Sequence, residues 1–277
     1  MKKFLVAALS FCFGLTAFAF EPGAMITPTN DVKSYIKTDY TVASKFGEYF
    51  RTPSAKFQHV FNTYGQEIEN SSLTLDGKII DKITFEYDSK GNITSQTGYD
   101  DSENVLWKII NTYDKSGVKT EEAEYDSKDN LSSKSLYKYT GKNLTEETLY
   151  NGLGKIMWKN IYTYDESNLC KDSCSYYASG ELESKKSYKY NDNNDILEIS
   201  YYDDCGVFTK KELYRYDTNK VLTEIATYNS SNVLYLRKFF KYDPKGNILK
   251  ITTYSIAKKF GSTVNELAGM SDFTYQY

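Results

Sequence analysis

From residue 82 to about 260 the chain repeats one alternation of aromatic and polar positions. One parity carries the pairs Phe85/Tyr87, Tyr137/Tyr139, Tyr162/Tyr164, Tyr188/Tyr190, Tyr214/Tyr216 and Phe240/Tyr242. The opposite parity places a base five residues before each of the turn tyrosines: Lys82, Lys108, Lys134, Lys159, Lys185, Lys211 and Arg237. A period of two predicts strands with one aromatic and one charged face. The tyrosines that close these runs are Tyr87, Tyr113, Tyr139, Tyr164, Tyr190, Tyr216 and Tyr242, always 25 or 26 residues apart. A second series, Tyr99, Tyr125, Tyr150, Tyr176 or Tyr177, Tyr202, Tyr228 and Tyr254, falls 11 to 13 residues after the first.

Turn chemistry explains that spacing. The first series leads into YDSKGN (87–92), YDKSG (113–117), YDESN (164–168) and YDPKGN (242–247). The second leads into NGLGK (151–155), ASGE (178–181), DDCG (203–206) and NSSN (229–232). Asp bonds its own backbone two residues on, and Gly or Asn accepts the left-handed conformation that closes such loops. Each unit reads strand, turn, strand, turn, with about eight residues per strand. The sequence therefore predicts an all-β chain of tandem antiparallel β-hairpin repeats. Its about 14 strands form an elongated single sheet, or a sheet curling toward a barrel. Acids near mid-strand (Glu121, Glu146, Glu198, Glu224) are placed to pair with the bases of neighbouring strands.

The ends are less regular. Met1-Lys2-Lys3, an apolar run to Phe18 and the Ala17-Phe18-Ala19 site predict a signal peptide over 1–19. Residues 20–63 read as an irregular N-terminal segment, with SKFGEYFRTPSAKF (44–57) giving mixed signals. The β-repeat domain covers 64–277. It comprises a degenerate first unit with Asp76-Gly77 as its second turn, about seven units of 25–26 residues from 82 to 260, and a terminal strand at Phe273–Tyr277. Asn265 to Met270 breaks the pattern.

The strings FEYDSKGNI (85–93) and FKYDPKGNIL (240–249) resemble the YD repeat of the RHS family, whose core is Y-x-Y-D-x-x-G-x-L. YYASGEL (176–182) is similar to the MORN-type repeats of YwqK-like exported bacterial proteins. The resemblance covers roughly 64–254. Thr140 departs from it in place of Asp, and Asn168, Asn194 and Lys220 in place of Gly. It implies strand-turn logic and, from RHS proteins, a β-shell that encloses or displays a partner polypeptide.

Composition narrows the function. There are 27 Tyr and 15 Phe against a single His, His59, and the net charge is −3 with both signs interspersed. No basic field suited to nucleic acid is present. Catalysis of the Ser-His-Asp or Cys-His kind would depend on His59, which lies outside the repeats and beside no nucleophile elbow. Cys170, Cys174 and Cys205 give neither zinc spacing nor an even disulfide set, and Cys170 and Cys174 sit too far apart on one strand to bridge. Neither a cofactor nor a metal is expected, and no segment after residue 20 reads as a transmembrane helix.

The surface with functional character is the aromatic face: Trp107, Trp158, Tyr137, Tyr162, Tyr188, Tyr214 and Phe240 are candidates for a protein or glycan partner, against burial of the same stripe. The leading expectation is a non-enzymatic protein, exported to the periplasm, outer surface or medium, with a structural or binding role. Two alternatives stand beside it. One is an outer-membrane β-barrel, suggested by the alternating aromatics of Phe273-Thr274-Tyr275-Gln276-Tyr277, against which strands such as 119–124 are polar on both sides. The other is a secreted hydrolase acting through carboxylates.

Overall fold

The structure, a computed structural model, describes residues 28–29, 31–259 and 262–277, so the expected signal peptide over 1–19 lies outside the described residues. Eighteen strands follow one another: β1 (Ser34–Lys45), β2 (Glu48–Phe61), β3 (Glu67–Leu73), β4 (Ile79–Tyr87), β5 (Ile93–Asp100), β6 (Val105–Tyr113), β7 (Lys119–Asp126), β8 (Leu131–Thr140) and β9 (Asn143–Asn151). They continue as β10 (Ile156–Tyr164), β11 (Cys170–Tyr177), β12 (Leu182–Tyr190), β13 (Ile196–Tyr202), β14 (Phe208–Tyr216), β15 (Leu222–Asn229), β16 (Leu234–Tyr242), β17 (Ile248–Lys259) and β18 (Ser262–Gln276). Each pairs antiparallel with the strand before and after it, and β1 pairs with β18 from Ser34↔Gln276 to Thr41↔Gly269. The sheet is a closed barrel.

Three expectations are corrected. Of the two forms expected, the sheet takes the barrel and closes it fully, and it has 18 strands rather than about 14. The repeats supply β4 to β17; β1, β2, β3 and β18 complete the ring. The segment 20–63 contains β1 and β2, joined by the two-residue loop Phe46-Gly47, which carries no Asp or Asn signal. A bulge beside Pro53 further hides their alternation. The expected break at Asn265–Met270 runs inside β18, where a bulge at Ala268 shifts the register while the strand continues. Cys170, Cys174 and Cys205 are free thiols.

The turns form as their residues require. In one representative, the Asp88 side chain accepts hydrogen bonds from the Lys90 and Asn92 amides (2.8 and 2.9 Å), while Gly91 N donates to Asp88 O and Asp88 N to Asn92 O. That is a type I turn followed by a left-handed residue. The position needing positive φ holds Gly91 (87°) and Gly246 (89°), and the Gly replacements Asn168, Asn194 and Lys220 adopt it at 60°, 67° and 64°.

The turn tyrosine has a second task. Ile93 lies two residues beyond the last β5–β6 pair, Ser95↔Ile110, so its carbonyl has no ladder partner on that side. Tyr113 Oη donates to Ile93 O at 2.8 Å. The bond recurs 20 residues back at Tyr87→Glu67, Tyr164→Leu144, Tyr190→Cys170, Tyr216→Ile196 and Tyr242→Leu222. Each closes the carbonyl that a strand start leaves open. Burial pushes the Tyr87, Tyr164 and Tyr216 phenols up to about 12, which keeps them protonated donors.

Two measurements test these devices. Tyr190→Phe removes only the hydroxyl and strands the Cys170 carbonyl, so urea unfolding should show a loss of about 1–3 kcal/mol, whereas Tyr235→Phe on the exposed surface should be neutral. The carboxylates of Asp88, Asp100, Asp114 and Asp126 are held below the usual value of 3.8, chiefly by side-chain hydrogen bonds from Asn92, Asn104, Ser116 and Asn130. A depressed folded-state pKa gives stability that is present above 3.8 and lost as pH falls through the folded value. The urea midpoint should therefore fall below about pH 4. The fourfold Asp→Asn variant should lose part of that acid sensitivity and keep its turns, since Asn151, Asn191 and Asn229 already make the same bonds.

Candidate functional site: the lumenal wall

The aromatic parity faces the inside of the ring. Tyr214, Ile199 and Ile225 on that face are 2, 1 and 3% exposed, while Lys138 and Lys189 on the other parity keep 69 and 71% of their side chains exposed. The concave side of a closed sheet crowds its side chains and the convex side spreads them. At about 4.8 Å between strands, a ring of 18 is roughly 27 Å across between backbones before tilt widens it, enough to leave a lumen. The hydrophobic clusters accordingly run along the wall. One joins β10 to β16 through Tyr188, Ile199, Tyr214 and Ile225, and another joins β1, β2 and β16–β18 around Tyr35 and Phe273.

The outer face carries a repeating set of ion pairs. Lys134–Glu121 (3.4 Å), Lys159–Glu146 (3.4 Å), Lys185–Asp172 (3.0 Å) and Arg237–Glu224 (2.6 Å) repeat one diagonal between neighbouring strands. Lys138, Lys189 and Arg215 reach Glu146, Glu198 and Glu224 from the other side. The expected base-to-acid pairing is thus an external network. Its bases also cover outward tyrosines, Lys211 lying 5.4 Å from the Tyr228 ring.

On the inner wall, charge is placed beside tyrosine. Glu212 accepts hydrogen bonds from Tyr201 and Tyr214 (3.0 Å each), and Lys210 stands 4.1 Å over the Tyr201 ring. Five strands away, Glu147 accepts from Asn160 and Tyr162 at 3.2 Å each. Burial raises the Glu147 carboxyl above the ordinary range, helped by the negative charge of Glu122. Lys119 forms an ion pair with Glu122, their side chains only 3 and 11% exposed, and its ammonium lies 5.1 Å from the Tyr137 ring. At the closure seam Tyr35 stacks on His59 (4.4 Å), whose Nδ1 meets Glu67. His59 is therefore part of the wall packing.

The seven aromatic candidates all point inward but do not form one spot. Tyr137, Tyr162, Tyr188, Tyr214 and Phe240 hold equivalent places in successive repeats and make a stripe around the ring. Tyr188 and Tyr214 are buried core, whereas Tyr137, Tyr162 and Phe240 are half-buried. Trp158 sits four residues nearer the opposite rim than Tyr162, and Trp107 holds the matching place in its own strand. The Trp107 indole covers Gly98, where a Cβ would come within 2.3 Å of it. Sequence reasoning passed over Glu122, Glu147, Glu212, Lys119 and Lys210. Their signal was charge standing on the tyrosine parity, which abundant acid elsewhere obscured.

No protein-family model matches the chain, and no curated protein matches its sequence. Among solved structures it is similar to a porin-like protein from Bacteroides uniformis ATCC 8492, at 9% identity over 90% of this chain and 99% of that one, with a TM-score of 0.49. A porin-like protein from Bacteroides vulgatus ATCC 8482 matches at 12% identity over 88% and 98%, TM-score 0.32. A putative outer membrane lipoprotein-sorting protein domain from Vibrio parahaemolyticus matches at 11% over 88% and 85%, TM-score 0.23. Likenesses at this level carry no weight in the functional reading.

The buried wall charges give a direct test. Lys119→Met should cost about 3–5 kcal/mol, because it leaves Glu122 buried and unpaired, whereas Lys119→Met with Glu122→Leu should recover most of that loss. Chemical denaturation of the two variants measures the difference.

Proposed function

We propose that this chain is an exported, non-enzymatic β-barrel of the outer-membrane type, working through its lumen on a polar, ring-bearing solute such as an oligosaccharide. The observation that carries the reading is closure: 18 antiparallel strands form one ring, and the aromatic parity, which holds the buried cluster, is the face this reading turns inward. Flat aromatic rings stack on the apolar faces of sugars, and neighbouring carboxylates and amides accept or donate to their hydroxyls. Glu147 with Tyr162 and Asn160, and Glu212 with Tyr201, supply that combination on the wall.

A membrane-spanning pore is the form favoured by an even-numbered, next-neighbour antiparallel ring. It is also favoured by an outward tyrosine row at one rim, flanked by exposed Val105, Leu106, Ile156 and Met157. Working against it are the outward rows of lysine, each costing about 2–4 kcal/mol if it faces lipid at mid-bilayer.

The two tryptophans report on the lumen, since both lie on its wall and the chain has no others. Titrating soluble chitin and maltodextrin oligomers should change the tryptophan fluorescence. Trp158→Ala should weaken that binding about tenfold, equivalent to about 1.4 kcal/mol. Unchanged fluorescence across the series, with no retention on a glycan array, would sink the solute reading. Stepwise conductance in a planar bilayer would establish the spanning form.

A further inference from the structure

The motif at 44–51, SKFGEYFR, forms the far end of the β1–β2 hairpin, and Arg51 ties it to β18 through Asp272. The β2–β3 ladder ends at Lys56↔Leu73, yet β1 and β2 stay paired for eight further β2 residues, Glu48 to Ala55. On the other side β1 stays paired with β18 as far as Thr41↔Gly269, opposite Thr52, so only 42–45 and 48–51, roughly 13 Å at about 3.3 Å per residue, stand clear of both neighbours. Its loop, Phe46-Gly47, needs positive φ at both positions (56° and 83°), a place that Asn or Asp normally fills. Phe46 accepts that strained conformation while fully exposed, so neither local geometry nor packing accounts for it. Tyr49 and Phe50 are exposed on opposite faces of the hairpin just behind it, Lys45 is exposed opposite Glu48, and Lys258 is exposed on the neighbouring β17–β18 hairpin. A two-stranded ribbon with aromatics at its apex and on both faces is marginal in water.

We propose that this hairpin is a lipid-insertion finger that seats the barrel on a bilayer bearing anionic headgroups. The order of residues matches an interface read from the inside out: Phe46 at the acyl boundary, the Tyr49 ring among headgroups, and Lys45 and Lys258 against phosphates. A pairing β-strand from a partner is the poorer occupant. Pro53 lacks the amide that strand addition at the β2 edge requires. The inference rests on reading the chain as an exported envelope barrel and takes its non-spanning form, in which the outward lysine rows stay in water.

The test is flotation of the exported form with vesicles of phosphatidylglycerol and phosphatidylethanolamine, or of phosphatidylcholine alone. The wild type should float with the anionic vesicles and largely stay behind with the neutral ones. Phe46→Gly relieves the left-handed strain, so it should unfold no earlier than the wild type while losing at least fivefold in vesicle binding. Lys45→Glu should weaken only the anionic arm. A Phe46→Gly protein that floats like the wild type overturns the proposal, as does a wild type that binds neither vesicle. Concentration-dependent dimers abolished by Phe46→Gly would overturn it in favour of contact between copies. Tryptophan titration with oligosaccharides on the same samples reads the lumen separately, so a failed finger and a failed solute reading are distinguishable.

Discussion

The ladder between β1 and β18 joins residues 228 to 242 positions apart, from Thr41↔Gly269 to Ser34↔Gln276. The other ladders join consecutive strands through short loops and carry little loop-closure cost. Without the seam, β1 and β18 would each present a row of unpaired amides and carbonyls, the usual starting point for edge aggregation. With it, the sheet has no edge along the ring. The seam is also where aromatic packing is densest, with Tyr35 against His59, Phe61, Phe273 and Tyr275. Long-range pairing and desolvated rings reinforce one another at the one place where neighbouring strands cannot rely on chain connectivity.

Closure then gives the two faces different physics. Inside, side chains crowd, so a carboxylate such as Glu212 is held by tyrosine hydroxyls and Lys119 is paired with Glu122 out of water. Outside, the same alternation sets bases and acids closer to water, where exposed pairs contribute little singly, while Glu224 is buried between Arg215 and Arg237. Their regular diagonal still fixes register, because a one-residue slip would carry every lysine into the lumen. The repeated Tyr-to-carbonyl bond supplies a second check on register, satisfied only when each hairpin sits two residues past its neighbour's ladder. The lumenal acids and the projecting hairpin both depart from the repeat, and both carry the functional proposals.

Strand content, hairpin connectivity, turn positions and the inner and outer parity were legible in the residues. Tyr87 and its six counterparts, the Asp-x-x-Gly turns and the row from Lys82 to Arg237 state them through a period of two and a unit of 25 or 26 residues. These are local properties, fixed by side-chain direction and by which residues tolerate left-handed backbone. Ring closure, the count of 18 and the pairing of β1 with β18 were not legible, because nothing in a periodic pattern says where it stops. Nor did the pattern separate exposed aromatics from core: Tyr188 and Tyr162 stand in equivalent places, and only their neighbours bury one more than the other. The sequence determined what each strand offers to its two faces. Tertiary structure alone decided which face became a lumen, since curvature and closure are properties of the whole ring.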